Sequence, residues 1–577
     1  MRDEDVLRAA CARERLAPEY DDYLGHVHQV PEASLRALLA ELGTRGVDAR
    51  APVNAPANAQ ANAQANAQAN ALASELASAR AGDWREPLPP VIALTLGDAE
   101  IVVTLHAPAS LERVAWSLRD ESLAVRVGDV DITTAEVIAR TDVDGREMRA
   151  IVLRLPAPDR AGYHDLRVRG PGLPVDTPPS LLIVAPAACW EPPALVGEGR
   201  VWGPALQLYA LRSARNWGMG DFTDLADAAA FFGDRGAGIL GVSPLHALFP
   251  HDPDRTSPYS PSSRLHLNVL YIDVEAIDDF RDCDDAQRAV RTPAFQGRLA
   301  ALRDSEFVDA AGVAAAKFEI LELLWLHFRD RHLRTSSVRG RAFRSWVAER
   351  GEALALHATG EAVREHLASG ETTHASPPAG AAASRSTWPP PWNDPAAPEV
   401  RAFRASHARR IEFFEWLQWV ADQQLALVSH GLRERGSGVG LFLDLAISVD
   451  RGGTDAWAHA ELFAPGATIG APPDEVNRSG QDWGLPPLKP RALVRQRLGL
   501  FRQTVVACMR HAGALRIDHV MGLLRLYWVP PGASAREGAY VHYPLREQLA
   551  VLALESHRQR CLVIGEDLGT VPLAVHE

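Results

Sequence analysis

The sequence predicts a multidomain protein: a small helical module, then a β-sandwich, then a large α/β barrel with helical insertions. Three observations carry that reading. Two apolar runs end in acid, Ala514-Leu515-Arg516-Ile517-Asp518-His519 and Cys561-Leu562-Val563-Ile564-Gly565-Glu566-Asp567. Runs of this kind read as buried parallel strands, whose carboxyl ends form the mouth of an α/β barrel. Between them, Leu545 to His557 sets Leu545, Leu549, Leu552 and Ala553 on one helical face, which makes the two runs consecutive strands of one barrel. Upstream, from about residue 84 to 193, the apolar period is two, the pattern of a half-buried antiparallel sheet.

In chain order, Pro31 suits a first helical turn, Leu35, Leu38, Leu39 and Leu42 make a stripe, and Gly43 supplies a cap. An Ala-Asn-Ala-Gln tract, repeated from Ala57 to Gln68, reads as a solvated or partly helical linker, giving a first module over 1–83. Ile101, Val103 and Leu105, then Leu123, Val125 and Val127, then Leu166 and Val168 alternate between Gly, Pro and Asp clusters and predict an Ig-like β-sandwich over 84–193. The α/β part follows over 194–577. Ala205 to Leu211 reads as a strand, Asp221 opens a helix with Phe222, Leu225, Ala229 and Phe232 on one face, and Gly238 to Val242 is the next strand. A helical insertion at about 305–430 holds two long helices, joined by a Pro/Ala/Ser-rich loop over 374–398.

Composition narrows the function. A net charge of −13 repels phosphate backbones and anionic membranes, so neither nucleic acid nor a membrane is an expected partner. Five scattered cysteines without a C-x-x-C pair argue against disulfides and zinc and for a reducing compartment, hence a cytoplasmic address. The charged start lacks a signal peptide's apolar core, and no stretch reaches the ~18 apolar residues of a membrane span. G-x-S-x-G, P-loop and H-E-x-x-H motifs are absent, and Gly436-Ser437-Gly438-Val439-Gly440 precedes a strand instead of following one. His26 and His28 read as a surface pair.

Asp518 and Glu566, on neighbouring strand ends, are placed for glycosyl transfer, in which one carboxylate attacks or stabilises the sugar cation and the other shuttles a proton. A structural ion pair with Arg516 is the plainer alternative for Asp518, and a solvated loop acid for Glu566. Residues two apart on a strand share a face, so Arg516 is expected to hold Asp518 ionised. Leu441-Phe442-Leu443-Asp444-Leu445 is a further apolar run ending in acid, with a loop-capping Asp as its simpler reading. The proline-stiffened loop from Gly470 to Pro487 offers Trp483 for stacking on a ring; it reads as a rigid lid or as an irregular surface loop. Ser257 to Arg264 is dense in hydrogen-bonding groups, which suits polyol recognition and also suits a turn.

The motifs SPYSPSSRLHLNVLYID, GAPPDEVNRSGQDWGLPP, ALRIDHVMG and VIGEDLGTVP resemble those of the 4-α-glucanotransferases (amylomaltases, disproportionating enzymes) of glycoside hydrolase family 77. The amino-terminal modules are similar to extensions of the longer bacterial members. The resemblance implies Asp518 as nucleophile, Glu566 as general acid/base, Arg516 as a contact to nucleophile and sugar, and Tyr259 and Asp444 around the donor ring. By the same resemblance Pro472, Pro473, Gln481 and Trp483 are expected in a lid over the acceptor side, with Ser257, His519 and Asp474 completing the substrate-binding set. It implies no metal and no cofactor, α-1,4-glucans and maltooligosaccharides as substrates, and glucose as an acceptor. The family's third carboxylate lies in a later His-Asp motif, and this sequence stops at Glu577. The expectation is therefore an incomplete barrel, lacking its C-terminal strands, in a chain of doubtful activity. An α-glucan hydrolase and an inactive glucan-binding fragment are the alternatives. Retaining chemistry places the two carboxyl groups about 5 to 5.5 Å apart.

Overall fold

The computed structural model describes residues 3–22, 24–45, 47, 59–252, 255–368, 388–568, 571 and 572. The amino-terminal module opens with helix Asp3–Glu14, a short antiparallel hairpin of Glu19–Asp21 with Val27–Gln29, and helix Glu32–Glu41. Pro31 occupies the N-cap position of the second helix, and Gly43 follows it at a φ of +94°, which only glycine adopts without strain. His26 and His28 both sit on Asp22 at the surface.

Of the two states expected for the alanine-rich tract, solvated or partly helical, its described backbone takes the helical one. From Ala59 the backbone is helical to Arg85, and Leu72 and Leu76, one turn apart, are buried against helix Asp3–Glu14. Alanine has the highest helix propensity, so the repeat can extend a helix that tertiary packing anchors at Leu72 and Leu76. Ala57 and Asn58 lie outside the described residues.

Eight strands between Val91 and Ala185 form two sheets, one of five strands and one of three. Ile101, Val103 and Leu105 point into the shared core while Val102 between them is 51% exposed, as period-two patterning requires. Ser180–Ala185 is buried along its whole length because the sandwich's other face packs on helix Leu545–Gln559. There Tyr163 donates its hydroxyl hydrogen bond to Glu555 at 2.8 Å, and Arg558 pairs with Glu121.

The α/β region is built on five parallel strands in sequence order, Ala205–Leu206, Ile239–Val242, Gly440–Leu445, Ala514–Ile517 and Leu562–Gly565. Among the described residues the first and last of these are free edges, and the sheet does not close. The first strand is shorter than the expected Ala205–Leu211: after Leu206 the chain turns into a 3-10 segment, Leu208–Ala210, that buries Leu208. Asp221 caps helix Phe222–Gly233 through a capping box with Asp224, and Arg215 grips Asp221, Asp224 and Asp273 together.

The insertion holds more helix than the sequence predicts. Besides Ala310–Phe328 and Ala408–Glu434 there is Val338–Ala368, broken at Gly351 (φ +60°), and it packs along Ala408–Glu434. Its buried side mixes small residues, among them Gly340, Ala358, Gly360 and Ala362, with the polar His357 and Glu361, so no large-apolar stripe marks it in the sequence. Residues 374–387 of the expected connector lie outside the described residues; Pro389–Ala397 is a series of turns.

A further sheet was not legible. Gln481–Asp482, Thr468–Ala471, Arg525–Val529 and Ala539–His542 pair antiparallel in that order, so the presumed loop at 470–487 is a hairpin standing on a sheet. Its strands are only two to five residues long. Among the described residues no helix is long and apolar enough to cross a membrane, and Cys11, Cys189, Cys283, Cys508 and Cys561 are all free thiols.

Candidate active site

The parallel register brings the acids together. Asp444 lies directly beside Arg516 on the neighbouring strand, and Arg516 beside Ile564 on the next, so Asp518 and Glu566 leave adjacent strand ends. Backbone bonds hold those ends: Asp518 N–H donates to Leu445 O at 3.1 Å, and Glu566 N–H to Ile517 O at 3.0 Å.

Arg516 is the hub. Its Nη1 donates to Asp444 Oδ1 at 2.7 Å, its Nη2 meets Asp518 Oδ1 at 2.9 Å, and the same Nη2 lies 3.9 Å from Glu566 Oε2. Tyr259 donates its hydroxyl hydrogen bond to Asp444 Oδ2 at 2.9 Å, so the Asp444 carboxylate is clamped from both sides. Glu566 Oε2 accepts the His519 N–H at 2.9 Å and Oε1 the Leu568 N–H at 2.8 Å. Each oxygen keeps a second lone pair able to carry a proton. His519 sits in the left-handed region (φ +52°), strain of about 1–3 kcal/mol at a position that turns its N–H onto Glu566.

Three carboxylates around one guanidinium set the electrostatics. Burial raises Asp518 above the usual carboxylate range, with Asp444 and Glu566 adding to the shift and Arg516 opposing it. Arg516 does pull Asp518 toward its ionised form, as expected, but desolvation is the larger influence. Asp444 is raised by the same burial against the pull of Arg516. Burial takes His519 down to about 4, with Glu566 opposing, so its ring is neutral near pH 7. Tyr259 is pushed up to about 12, by burial first and then by Asp444.

The hairpin of Thr468–Ala471 and Gln481–Asp482 reaches this cluster through Trp483, whose ring stands edge-on to His519 at 5.3 Å. Trp483 Nε1 donates to Gln481 Oε1 at 3.2 Å. Ser257 enters indirectly, its hydroxyl accepting the Tyr259 N–H at 3.3 Å. Pro472, Pro473 and Asp474 lie in the hairpin loop, where Asp474 Oδ1 accepts the Asn477 N–H; among the described residues they stand outside the hydrogen-bond network of the acids.

Sequence reasoning missed the layer beneath. Arg264 donates from Nη1 to Ala446 O and Ile447 O, and His246 Nε2 accepts the Ala446 N–H at 3.3 Å, which fixes the chain just after Asp444. Asp455 accepts from Ser263 Oγ and from Arg264 N–H. Half-buried His266 and buried His357 stack at 3.9 Å, and both are neutral. Arg264 falls inside the Ser257–Arg264 run, so only its role escaped notice; the histidines lie far apart in sequence and carry no local signal. Two cavities flank the site: one of about 570 Å³ beside Asp444, His246 and Arg264, and one of about 540 Å³ beside Ser257, Tyr209 and Phe249. Among the described residues no three His, Cys, Asp or Glu side chains are grouped to hold a metal ion.

A family model described as 4-alpha-glucanotransferase matches residues 206–577, and one described as the MalQ N-terminal beta sandwich domain matches residues 87–186. The chain is 39% identical to a 4-alpha-glucanotransferase of Haemophilus influenzae over 398 residues, 68% of this chain and 55% of that protein. It is 36% identical to one of Mycobacterium tuberculosis over 567 residues, 96% of this chain and 71% of that protein. The crystal structure of amylomaltase from Corynebacterium glutamicum superposes with a TM-score of 0.81 at 28% identity, covering 99% of this chain and 73% of that one. The chain thus spans between about half and three quarters of the length of these relatives.

Proposed function

We infer the reaction from one premise: the chain belongs to the 4-alpha-glucanotransferase family. It moves a segment of an α-1,4-glucan from a donor to the 4-hydroxyl of glucose or a maltooligosaccharide, by double displacement with retention. Glu566 protonates the leaving glycosidic oxygen while Asp518 attacks the anomeric carbon, giving a covalent glycosyl-enzyme; Glu566 then takes the proton of the acceptor hydroxyl as that oxygen displaces Asp518.

The observation that carries this reading is the shared guanidinium. Asp518 and Glu566 both approach Arg516 Nη2, at 2.9 and 3.9 Å, so the two oxygens are separated by no more than those distances laid end to end. So close an approach of one oxygen from each acid supports the short spacing of a retaining pair over the ~6.5–9.5 Å that lets an inverting pair hold a water. Arg516, in contact with Asp518, opposes the rise that burial imposes on it, and Tyr259 and Arg516 keep Asp444 aimed at the donor ring.

In this reading residues 1–83 are a helical module, 84–193 a sandwich, and 194–577 belong to a (β/α)8-type barrel with its insertion at about 305–430. Pro472, Pro473, Asp474, Gln481 and Trp483 cover the acceptor side, where a closed aromatic surface disfavours water against sugar. Five free thiols fit a reducing, cytoplasmic setting. The test is to incubate the longest product of the coding region with maltotriose, with and without added glucose, and to separate the products. A ladder of longer oligosaccharides supports transfer; glucose and maltose without longer products would make it a hydrolase.

A further inference from the structure

We propose that the amino-terminal helical module is an anchor for the lid, holding Trp483 over the acids from the far side of the antiparallel sheet. The inference rests on the acceptor-lid reading for its consequence in catalysis, but the anchoring itself rests on geometry alone.

The contacts form one continuous path. After helix Asp3–Glu14 the chain runs beside Ala539–His542 as an added edge: Ala17 N–H donates to Tyr540 O at 2.8 Å, His542 N–H donates to Arg15 O at 2.9 Å, and Leu16 bridges Val541. Tyr20 meets Tyr527 edge-on at 5.6 Å and Tyr540 at 5.7 Å, and those two meet each other at 5.2 Å. Such ring clusters contribute beyond their buried area and fix orientation. Glu41 Oε2 accepts the Gly466 N–H at 2.8 Å, two residues before the central strand Thr468–Ala471. Leu35, Leu38 and Leu39 share one core with Ile469, Trp528 and Val529, and Trp483 packs on its margin.

From that strand the path reaches the chemistry. Ile469 O accepts the Trp483 N–H at 2.9 Å, Ile469 N–H donates to Leu485 O at 2.8 Å, and Trp483 stands on His519, whose N–H holds Glu566. A strand pair only two residues long cannot order itself; its stability comes from what lies behind it. What lies behind it is the amino-terminal module. The sandwich, by contrast, packs on helix Leu545–Gln559 and makes its bonds there. Tyr20 and Glu41 are therefore positioning residues, acting on substrate only through Trp483.

The experiment compares Tyr20→Ala and Glu41→Ala with Tyr163→Phe, which removes a buried hydrogen bond between the sandwich and the α/β region. Amide hydrogen exchange is followed in segments 468–485 and 440–445, and the ratio of transfer to hydrolysis is measured from maltotriose. Losing a half-buried charge-assisted bond should open the lid, so exchange in 468–485 should rise about tenfold in Glu41→Ala and at least as much in Tyr20→Ala. Segment 440–445 and the Tyr163→Phe protein should be unchanged. Unchanged exchange at 468–485 overturns the anchor, and so does an equal rise at 440–445, which would mean general loss of stability. If the lid opens and the product ratio holds, the anchor stands and the acceptor role given to the lid fails.

Discussion

Asp444, Arg516 and Asp518 stand on strands paired in register, so the elements that carry them are neighbours in the sheet. Trp483 hangs from a two-residue strand whose support comes from residues more than four hundred positions away, among them Tyr20 and Glu41. The acids are held by charge and by the continuous ladder of a parallel sheet; the lid is held by rings and by packing from another module. A charged hub tolerates little change because each partner removed leaves a buried charge uncompensated, whereas a packed lid can loosen by degrees. Damage to the acids should therefore abolish the reaction, and damage to the lid should redirect it.

The largest expected effect tests the first half of that contrast. Asp518→Asn should lower transfer by more than about 10⁴-fold, beyond what general acid–base help alone supplies, and Glu566→Gln by about 10² to 10⁴-fold. A donor whose leaving group needs no proton should restore the first, glycosylation, step in Glu566→Gln and not in Asp518→Asn. Rescue of both, or of neither, would mean the two roles are misassigned.

The floor under the acids gives a second, intermediate effect. His357 is buried against His266 and accepts a proton in the fold only near pH 3, against about 6.5 when unfolded. Its folded value is depressed, so its share of stability is complete above pH 6.5 and is lost as pH falls, by about 1.4 kcal/mol per pH unit. Urea unfolding at pH 6.5 and 4.5 should show a stability loss about 2 kcal/mol smaller in His357→Gln than in the unaltered protein. An equal loss in both would place the acid sensitivity elsewhere.

The smallest effect concerns the lid. Trp483→Ala should lower the ratio of transfer to hydrolysis about tenfold, on the order of 1.4 kcal/mol of discrimination, while total glucan cleavage changes less. A ratio that holds while cleavage collapses would turn Trp483 into a support for His519 and Glu566 and erase the contrast drawn above.

Much of the acid side was legible before any coordinates. Ala514–Ile517 and Leu562–Gly565 are strands, the helix between them runs Leu545–Gln559, and Tyr259, Asp444, Arg516, Asp518 and Glu566 meet. Apolar runs that end in charge report a strand with a polar end, and both properties are local; Ala514–Ile517 is buried as expected, whereas Leu562–Gly565, an edge among the described residues, is only half-buried. The antiparallel sheet under the lid was not legible, because strands of two to five residues are shorter than any period can register. Helix Val338–Ala368 was hidden for a related reason: small buried residues and a break at Gly351 blur its face.

The sequence by itself determined which elements carry the acids, and that those acids stand at strand ends. Only the tertiary structure decided that one guanidinium serves three carboxylates, that neutral histidines lie beneath them, and that the amino-terminal helices stand behind the lid. Periodicity records how each segment meets water, and that is settled within a few turns of chain. Which buried face meets which other depends on complementary shape and unpaired backbone groups brought together over hundreds of residues, and no window along the chain contains both partners.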